Sequence, residues 1–262
     1  MMDLIYFDNF GAKLKVNDLN DIAIDDIKKI LATEGFLLID DVVLTRESFF
    51  DFFSSFGEVV RYIKDKNNPN YVNSDITLLK GEGDDVISGR GELPFHADGD
   101  NEGFIVDHLF LYSLETSINL KNGTTGICNH FLANQELPTH LKNIMYNHKH
   151  YMKVKDFNSQ NNWREIPVFS GKGSSKRMLL YFPFKNYQSA KWECRVEGLN
   201  EVEVRKYFNE LQDYYRNSKF YYEHHWVKNQ MLICDNRKVL HERTPFFESF
   251  DQRVLMRGIT RE

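Results

Sequence analysis

A six-residue run, PFHADG, restricts the possible folds of this chain more than any other feature of its sequence. It places His96 two residues before Asp98, and in an extended chain residues two apart project to the same face. Another histidine, His241, lies near the opposite end of the chain and is available as a third metal ligand. Because a site built from these three residues needs both ends of the chain, residues 1–262 are predicted to form a single domain.

The residue types of this set point to a particular chemistry. Two imidazoles and one carboxylate form the facial triad of non-haem iron(II) oxygenases, which leaves coordination positions open for a co-substrate and for oxygen. A His two residues before an Asp is nevertheless common by chance. A hydrogen-bonded pair in a loop explains His96 and Asp98 equally well when they are considered alone, so the rest of the sequence has to decide.

The pattern of apolar residues predicts many short strands and a few helices. Helices are expected at residues 21–31, 45–56 and 199–215, with Thr45 as the N-cap of the second and Gly57 as its stop. Strands are expected at residues 36–43, 76–80, 104–114, 125–130, 150–154, 177–182, 225–234 and 253–260. Residues 64–91, rich in Asn, Asp and Gly, are expected to be mostly loop. This order favours a mainly β core decorated by α-helices.

Composition argues against several classes of partner. Lys and Arg together number 33 against 38 for Asp and Glu, so the net charge of -5 predicts no nucleic-acid binding by bulk charge. No stretch approaches the ~18 apolar residues of a membrane span, and the first ten residues do not resemble a leader. Three widely separated cysteines fit a reducing compartment. A cytoplasmic protein is therefore expected. Its 14% of aromatic residues predicts a well-packed interior or an aromatic-lined pocket.

Five motifs occur in order over most of the chain. They are Phe56-Gly57, Pro94-Phe95-His96-Ala97-Asp98-Gly99, Asn122-Gly123-Thr124-Thr125, Asp235-Asn236-Arg237 with His241, and Arg253-Val254-Leu255-Met256-Arg257. Through these motifs the sequence resembles the taurine dioxygenase (TauD/TfdA) family of iron(II)- and 2-oxoglutarate-dependent oxygenases. Five ordered matches are much less expected by chance than the first pair of ligands alone. The resemblance implies a double-stranded β-helix core, a cupin-like jelly roll.

The resemblance also implies a set of site residues. His96, Asp98 and His241 match the family's Fe(II) ligands. Thr125 and Arg253 match the residues that hold the distal carboxylate of the co-substrate 2-oxoglutarate, for which a planar two-donor guanidinium is suited. Since Asn122 replaces the first glycine of the family's threonine motif, Thr124 is an alternative to Thr125.

Two further residues are candidates for contacts with the substrate. Arg257 shares a strand face with Arg253, and the resemblance implies that it holds an anionic group of the substrate; a solvated charge at the end of the last strand is an equally good interpretation. Glu92 precedes His96 by four residues and matches a substrate-contacting position of the family, which suggests a substrate ammonium as its partner. A loop carboxylate that faces water is the favoured interpretation of Glu92.

The function that the resemblance implies is the hydroxylation, or the desaturation, of a small amino-acid-like or amino-acid-derived substrate. Oxygen and 2-oxoglutarate are consumed, and succinate and carbon dioxide are released. The motifs look most similar to those of natural-product members, including enzymes that act on amino-acid-derived isonitriles. The carboxylate at Asp98 disfavours halogenation. The alternative is a cupin-like protein that binds a metal or ligand without turnover. The expected partner is a small molecule, with no nucleic acid or membrane, and a homo-oligomer is compatible with the sequence.

Overall fold

Two β-sheets that share a buried core form the centre of the molecule. The computed structural model describes residues 3–16, 18–61, 75–81, 89–99, 104–117, 122–154, 162–185, 191–246 and 252–262. The strands are β1 (Asp3–Tyr6), β2 (Ala12–Lys15), β3 (Phe36–Asp40), β4 (Glu58–Val59), β5 (Thr77–Leu79), β6 (Leu93–His96), β7 (His108–Thr116), β8 (Thr125–Asn129), β9 (His150–Val154), β10 (Arg164–Ile166), β11 (Phe169–Ser170), β12 (Arg177–Met178), β13 (Trp192–Val196), β14 (Tyr221–His224), β15 (Met231–Asp235), β16 (Val239–Arg243) and β17 (Arg253–Arg261).

The sheets combine strands from distant parts of the chain. The larger sheet has the order β1-β2-β3-β15-β7-β17-β4, with β5 also paired to β17, and the smaller has the order β14-β8-β16-β6. Strands β2 and β3 are parallel, and the pairs around the site, β16 with β6 and with β8 and β17 with β7, are antiparallel. The late strands β15, β16 and β17 thus lie among early ones.

Apolar side chains from both sheets meet in one buried cluster. Leu109, Leu111 and Leu255 come from the larger sheet, and Ile127 and Val239 come from the smaller. Each strand alternates its faces, so one face of each sheet supplies this core. The predicted fold, mainly β with a jelly-roll core, is confirmed.

Helices cover the other faces of the two sheets. They are α1 (Ile24–Glu34), α2 (Arg46–Ser54), α3 (His130–Ala133), α4 (Thr139–Asn147) and α5 (Glu201–Asn217). Helices α1 and α2 pack on the larger sheet in a cluster that includes Ile27, Phe53 and Phe110, whereas α5 packs Phe208 and Leu211 against the smaller sheet. Reciprocal side-chain caps begin α2 at Thr45 and α5 at Asn200. The predicted cap at Thr45 is confirmed.

Several predicted boundaries differ from the observed ones. The strand expected at 225–234 begins only at Met231, as β15, because residues 225–230 form the connection from β14, which ends at His224, and Asn229 in this connection has φ 63°. The strand expected at 177–182 is limited to Arg177–Met178. His130 begins α3 instead of ending β8, since Asn129 caps that helix by accepting a hydrogen bond from the Leu132 amide. Most of the loop expected at 64–91 lies outside the described residues.

A candidate metal centre and its pocket

The two candidate histidine ligands face each other across neighbouring strands. His96 ends β6, His241 lies in the middle of β16, and the two are register partners in the antiparallel pair. Their ring centroids are 4.2 Å apart, and both side chains are buried. Strand pairing thus places the two imidazoles together although they are far apart in the sequence.

Asp98 completes the set without a direct hydrogen bond to either ring. Its Oδ1 atom lies 3.6 Å from His96 Nε2 and 3.8 Å from His241 Nε2, both beyond hydrogen-bonding distance. One candidate donor atom from each residue lies within 4.8 Å of the other two. The three atoms therefore converge as the ligands of a single ion would.

The hydrogen bonding of His96 fixes which nitrogen is free to bind a metal. Its Nδ1 atom lies 2.8 Å from the Pro94 carbonyl oxygen. Because a carbonyl can only accept, Nδ1 carries the hydrogen and Nε2 presents its lone pair to the group of three. Burial, with a further contribution from His96, lowers the pKa of His241 to about 3, so the His241 ring is neutral and can act as a ligand near neutral pH.

The Asp98 carboxylate has a different partner at each oxygen. Oδ1 faces the histidines, and Oδ2 lies 2.8 Å from Arg257 Nη2 and 3.2 Å from Arg257 Nε. Burial alone would raise the pKa of this carboxyl, but the Arg257 guanidinium and the two histidines hold it well below its usual range. Two imidazoles and one ionised carboxylate form a donor set that suits iron(II) and leaves coordination positions open.

Thr125 lies in the same cavity as these ligands. It begins β8 and is the register partner of Arg243 on β16. Trp226 Nε1 donates a hydrogen bond of 2.9 Å to Thr125 Oγ1. Thr124 lies outside the cavity, where its hydroxyl donates to a carboxylate oxygen of Glu223 at 2.7 Å. Of the two predicted candidates, Thr125 is the one that the fold brings to the cavity.

Arg253 supplies a buried positive charge near Thr125. Its side chain lines the cavity and donates a hydrogen bond to the Gly123 carbonyl. The guanidinium carbon Cζ lies 5.0 Å from the centroid of the Phe246 ring. Its Nε has no hydrogen-bond partner in the described part of the chain. Burial, together with the neighbouring Arg243, lowers the pKa of this guanidinium well below its ordinary value. An anion bound here would relieve the cost of that buried charge.

Hydrocarbon surface makes up much of the remaining wall. The residues are Leu79, Leu93, Leu109, Leu111, Tyr181, Trp192 and Leu255. Tyr181 donates through its hydroxyl to the Ala97 carbonyl, and Trp192 donates through Nε1 to the Phe182 carbonyl, each at 2.7 Å. Because these polar atoms already bond to the backbone, the two aromatic rings add mainly apolar surface to the cavity. Their ring centroids lie 6.0 and 6.3 Å from that of His96.

The predicted site residues are brought together with one exception. His96, Asp98, His241, Thr125, Arg253 and Arg257 all line one cavity. Glu92 is not among the residues that line it, and its carboxylate accepts a 2.7 Å hydrogen bond from the Lys185 amide. Its contact with a substrate ammonium stays a prediction, and its position fits the loop carboxylate that the sequence favoured.

Sequence reasoning missed Arg243, and it named Asn236 only as part of a motif, without its contact with Asp98. Arg243 lines the cavity and donates to the Gly91 carbonyl through Nε at 3.0 Å and Nη2 at 2.8 Å. The period of two in a strand would have placed it on the same face as His241. Asn236 is fully buried and bonds to the backbone of Asp98, a contact that no local pattern indicates.

Comparison with known proteins identifies both a family and a fold. A model of the family "Taurine catabolism dioxygenase TauD, TfdA family" matches residues 6–260. Among solved structures, the PvcB protein from Pseudomonas aeruginosa is similar with a TM-score of 0.76 and 16% identity, over 100% of this chain and 92% of that one. A second structure of PvcB, with a TM-score of 0.73 and 15% identity over the same shares of the two chains, is described as an Fe, alpha-ketoglutarate dependent oxygenase from an isonitrile synthetic pathway.

A third similar structure comes from Burkholderia xenovorans and is described as a putative alpha-ketoglutarate dependent 2,4-D dioxygenase. It has a TM-score of 0.68 and 17% identity, over 99% of this chain and 97% of that one. At such identities the likeness establishes the shared fold. In the part of the chain that the structure describes, no helix is both long enough and apolar enough to cross a membrane.

Proposed function

The chain belongs to the taurine catabolism dioxygenase TauD, TfdA family, and we propose that it is an Fe(II)- and 2-oxoglutarate-dependent oxygenase of a small amino-acid-like substrate. One observation carries the proposal: His96, Asp98 and His241 converge in a buried cavity that also contains Arg253 and Thr125. With iron bound, the reaction would consume oxygen and 2-oxoglutarate and yield oxidised substrate, succinate and carbon dioxide.

In this proposal three of the protein's own side chains would hold the metal. His96 and His241 would bind it through Nε2, and Asp98 would bind it through Oδ1. The Pro94 carbonyl keeps the His96 ring in one tautomer, and Arg257 neutralises the other oxygen of Asp98. Such partners orient ligands and maintain their protonation states.

Arg253 and Thr125 are the proposed partners of the distal carboxylate of 2-oxoglutarate. The buried Nε of Arg253 is without a hydrogen-bond partner among the described residues. An indole nitrogen can only donate, so Trp226 makes Thr125 Oγ1 an acceptor and leaves the hydroxyl hydrogen for another partner. The Arg253 guanidinium and the Thr125 hydroxyl can then both donate hydrogen bonds to the same carboxylate group.

The substrate would occupy the part of the cavity between Arg257 and the aromatic wall. Arg257 supplies positive charge for a carboxylate or a similar anion. Tyr181 and Trp192 supply apolar surface beside His96, which suits the hydrocarbon part of an amino acid or of its derivative. Excluding water from this wall protects a reactive centre from side reactions. Hydroxylation is the default outcome, and desaturation begins with removal of the same substrate hydrogen.

The single-domain organisation over residues 1–262 and the cytoplasmic location belong to the same proposal. The domain assignment is supported by the pairing of β6 with β16, which makes one site from both halves of the chain.

The test is oxygen-dependent release of succinate from 2-oxoglutarate by protein reconstituted with Fe(II), with and without a panel of amino acids and their N-modified derivatives. We expect one or more of these compounds to increase succinate release and to gain oxygen or lose two hydrogens. Failure to bind 2-oxoglutarate, together with an absence of succinate, would overturn the proposal. Binding of metal and 2-oxoglutarate without turnover on any compound would instead favour a cupin-like binding protein.

A further inference from the structure

Asn236 occupies a fully buried position in the turn between β15 and β16. Its side chain reaches across to a segment 138 positions earlier in the chain. The Oδ1 atom accepts a hydrogen bond of 3.0 Å from the Asp98 amide, and Nδ2 donates one of 3.0 Å to the Asp98 carbonyl. Nδ2 also donates to the Val106 carbonyl at 2.9 Å. A carboxamide has one acceptor oxygen and two N–H groups, and all of them are used here.

The backbone of Asp98 needs such a partner because of where β6 ends. Strand β6 ends at His96, which pairs with His241 on β16. Asp98 lies two residues beyond His96 and is buried. Unpaired backbone groups at that depth would be costly. The Asn236 side chain bonds to the N–H and the C=O of the same residue, as the backbone of a neighbouring strand would.

The adjoining backbone is packed against the same segment. Gly99 has φ 93°, and a Cβ atom at this position would lie 2.6 Å from Val106 Cγ2. The Asn236 amide donates at 2.8 Å to the Asp107 carbonyl, which follows Val106. Asp98 is thus held to the turn that precedes β16, the strand that carries His241.

We propose that Asn236 is a positioning residue for Asp98 as a metal ligand. It fixes the Asp98 backbone relative to β16, so that the carboxylate meets both imidazoles before any ion arrives. This role rests on the metal site of the proposed function, and Asn236 itself contacts neither metal nor substrate.

The test compares Co(II) binding to wild type, Asn236→Ala and Asn236→Asp, all prepared metal-free and without 2-oxoglutarate. Ala removes all three side-chain hydrogen bonds, whereas Asp keeps the shape and the acceptor oxygen but loses both donors. We expect affinity to fall ~10- to 100-fold in both variants, as is typical when a group that orients a ligand is lost. The visible absorption spectrum of bound Co(II) should also change, because the carboxylate no longer takes its native place.

Asn134→Asp is the matched control. Asn134 is also buried, but its Oδ1 accepts from the Tyr215 hydroxyl at 2.7 Å instead of contacting the ligand set. This variant should lower the melting temperature of the metal-free protein while leaving Co(II) affinity and spectrum unchanged.

The outcomes separate this inference from the proposed function. If wild type binds no Co(II), the metal site fails, and the proposed function fails with it. If wild type binds and both Asn236 variants bind with the same affinity and spectrum, the role of Asn236 alone is overturned. If both metal-free variants are unfolded, Asn236 is required for folding in general and not specifically for positioning Asp98, and the inference is likewise contradicted.

Discussion

Arg257 lies against the Asp98 oxygen that is not shared with the two histidines, with its Nη2 2.8 Å from Asp98 Oδ2. The predicted substrate-binding arginine is therefore also the counter-ion of a candidate metal ligand. A substrate anion bound by Arg257 would share the guanidinium with that carboxylate, which would place the anion close to the metal centre.

Replacing Arg257 with alanine should raise the KM for the substrate identified in the amino-acid panel. Loss of a charge-assisted hydrogen bond costs about 1.5–3 kcal/mol, or roughly 10- to 100-fold in affinity. Steady-state kinetics of succinate release measures this effect. Arg261→Ala is the control, because Arg261 lies on the same strand but pairs with Glu58 at the surface. An unchanged substrate KM in Arg257→Ala would remove the proposed role.

Asp98→Ala should abolish both metal binding and substrate oxidation. The substitution leaves two imidazoles and removes the only anionic donor of the set. Calorimetric titration with Co(II) and the thermal shift on adding metal provide the measurements. Wild type at 100 times its Kd should gain about 2.7 kcal/mol in unfolding free energy, and the variant should gain almost none. Retention of full activity would show that the ligand assignment is wrong.

Trp226→Phe should raise the KM for 2-oxoglutarate about 2- to 10-fold with a smaller effect on kcat. The indole N–H that makes Thr125 an acceptor is lost, and a typical hydrogen bond contributes about 0.5–1.5 kcal/mol. Titration of 2-oxoglutarate in the succinate assay checks this expectation. Trp163→Phe is the control, because Trp163 is exposed and lies outside the cavity lining. Equal KM values in the two variants would contradict the proposed orientation of Thr125.

The metal-free protein should lose stability as the pH falls from about 6.5 towards 4. Burial lowers the pKa of His150 to about 4, whereas an unfolded histidine titrates near 6.5. Between these two pKa values His150 is protonated in the unfolded state but not in the folded state. The contribution of His150 to the unfolding free energy is therefore complete above pH 6.5 and is lost as the pH falls from 6.5 towards 4. At the acid end of this range the pKa shift of His150 corresponds to a loss of roughly 3 kcal/mol in unfolding free energy.

Urea unfolding of the metal-free protein over this pH range provides the measurement, with His150→Gln as the test variant. Its unfolding free energy should depend less steeply on pH than that of wild type. His140→Gln is the control, because the exposed His140 side chain pairs with Glu210 at the surface. Parallel pH profiles for wild type and His150→Gln would contradict the assignment.

The sequence determined the class of fold and most of the candidate site. Apolar residues that alternate with polar ones, between short turns, predict a strand with one buried face. Thr45 followed three residues later by Ser48 predicts the start of a helix, because its capping hydrogen bonds are local. The candidate ligands at 96, 98 and 241 were predicted from five motifs that occur in the order of a known family, since a His two residues before an Asp is common by chance. These features depend on near neighbours in the chain or on the identity of single residues.

Only the tertiary structure decided which side chains meet. Strand register makes His96 and His241 partners, brings Thr125 rather than Thr124 into the cavity, and leaves Glu92 outside its lining. The hydrogen bond from the Asn236 side chain to the Asp98 carbonyl joins segments more than 130 positions apart, and so does the ion pair between Arg257 and the Asp98 carboxylate. Periodicity predicts which face of a strand a residue occupies, but the partner across that face depends on which distant strand pairs there, and that choice is made by packing of the whole chain.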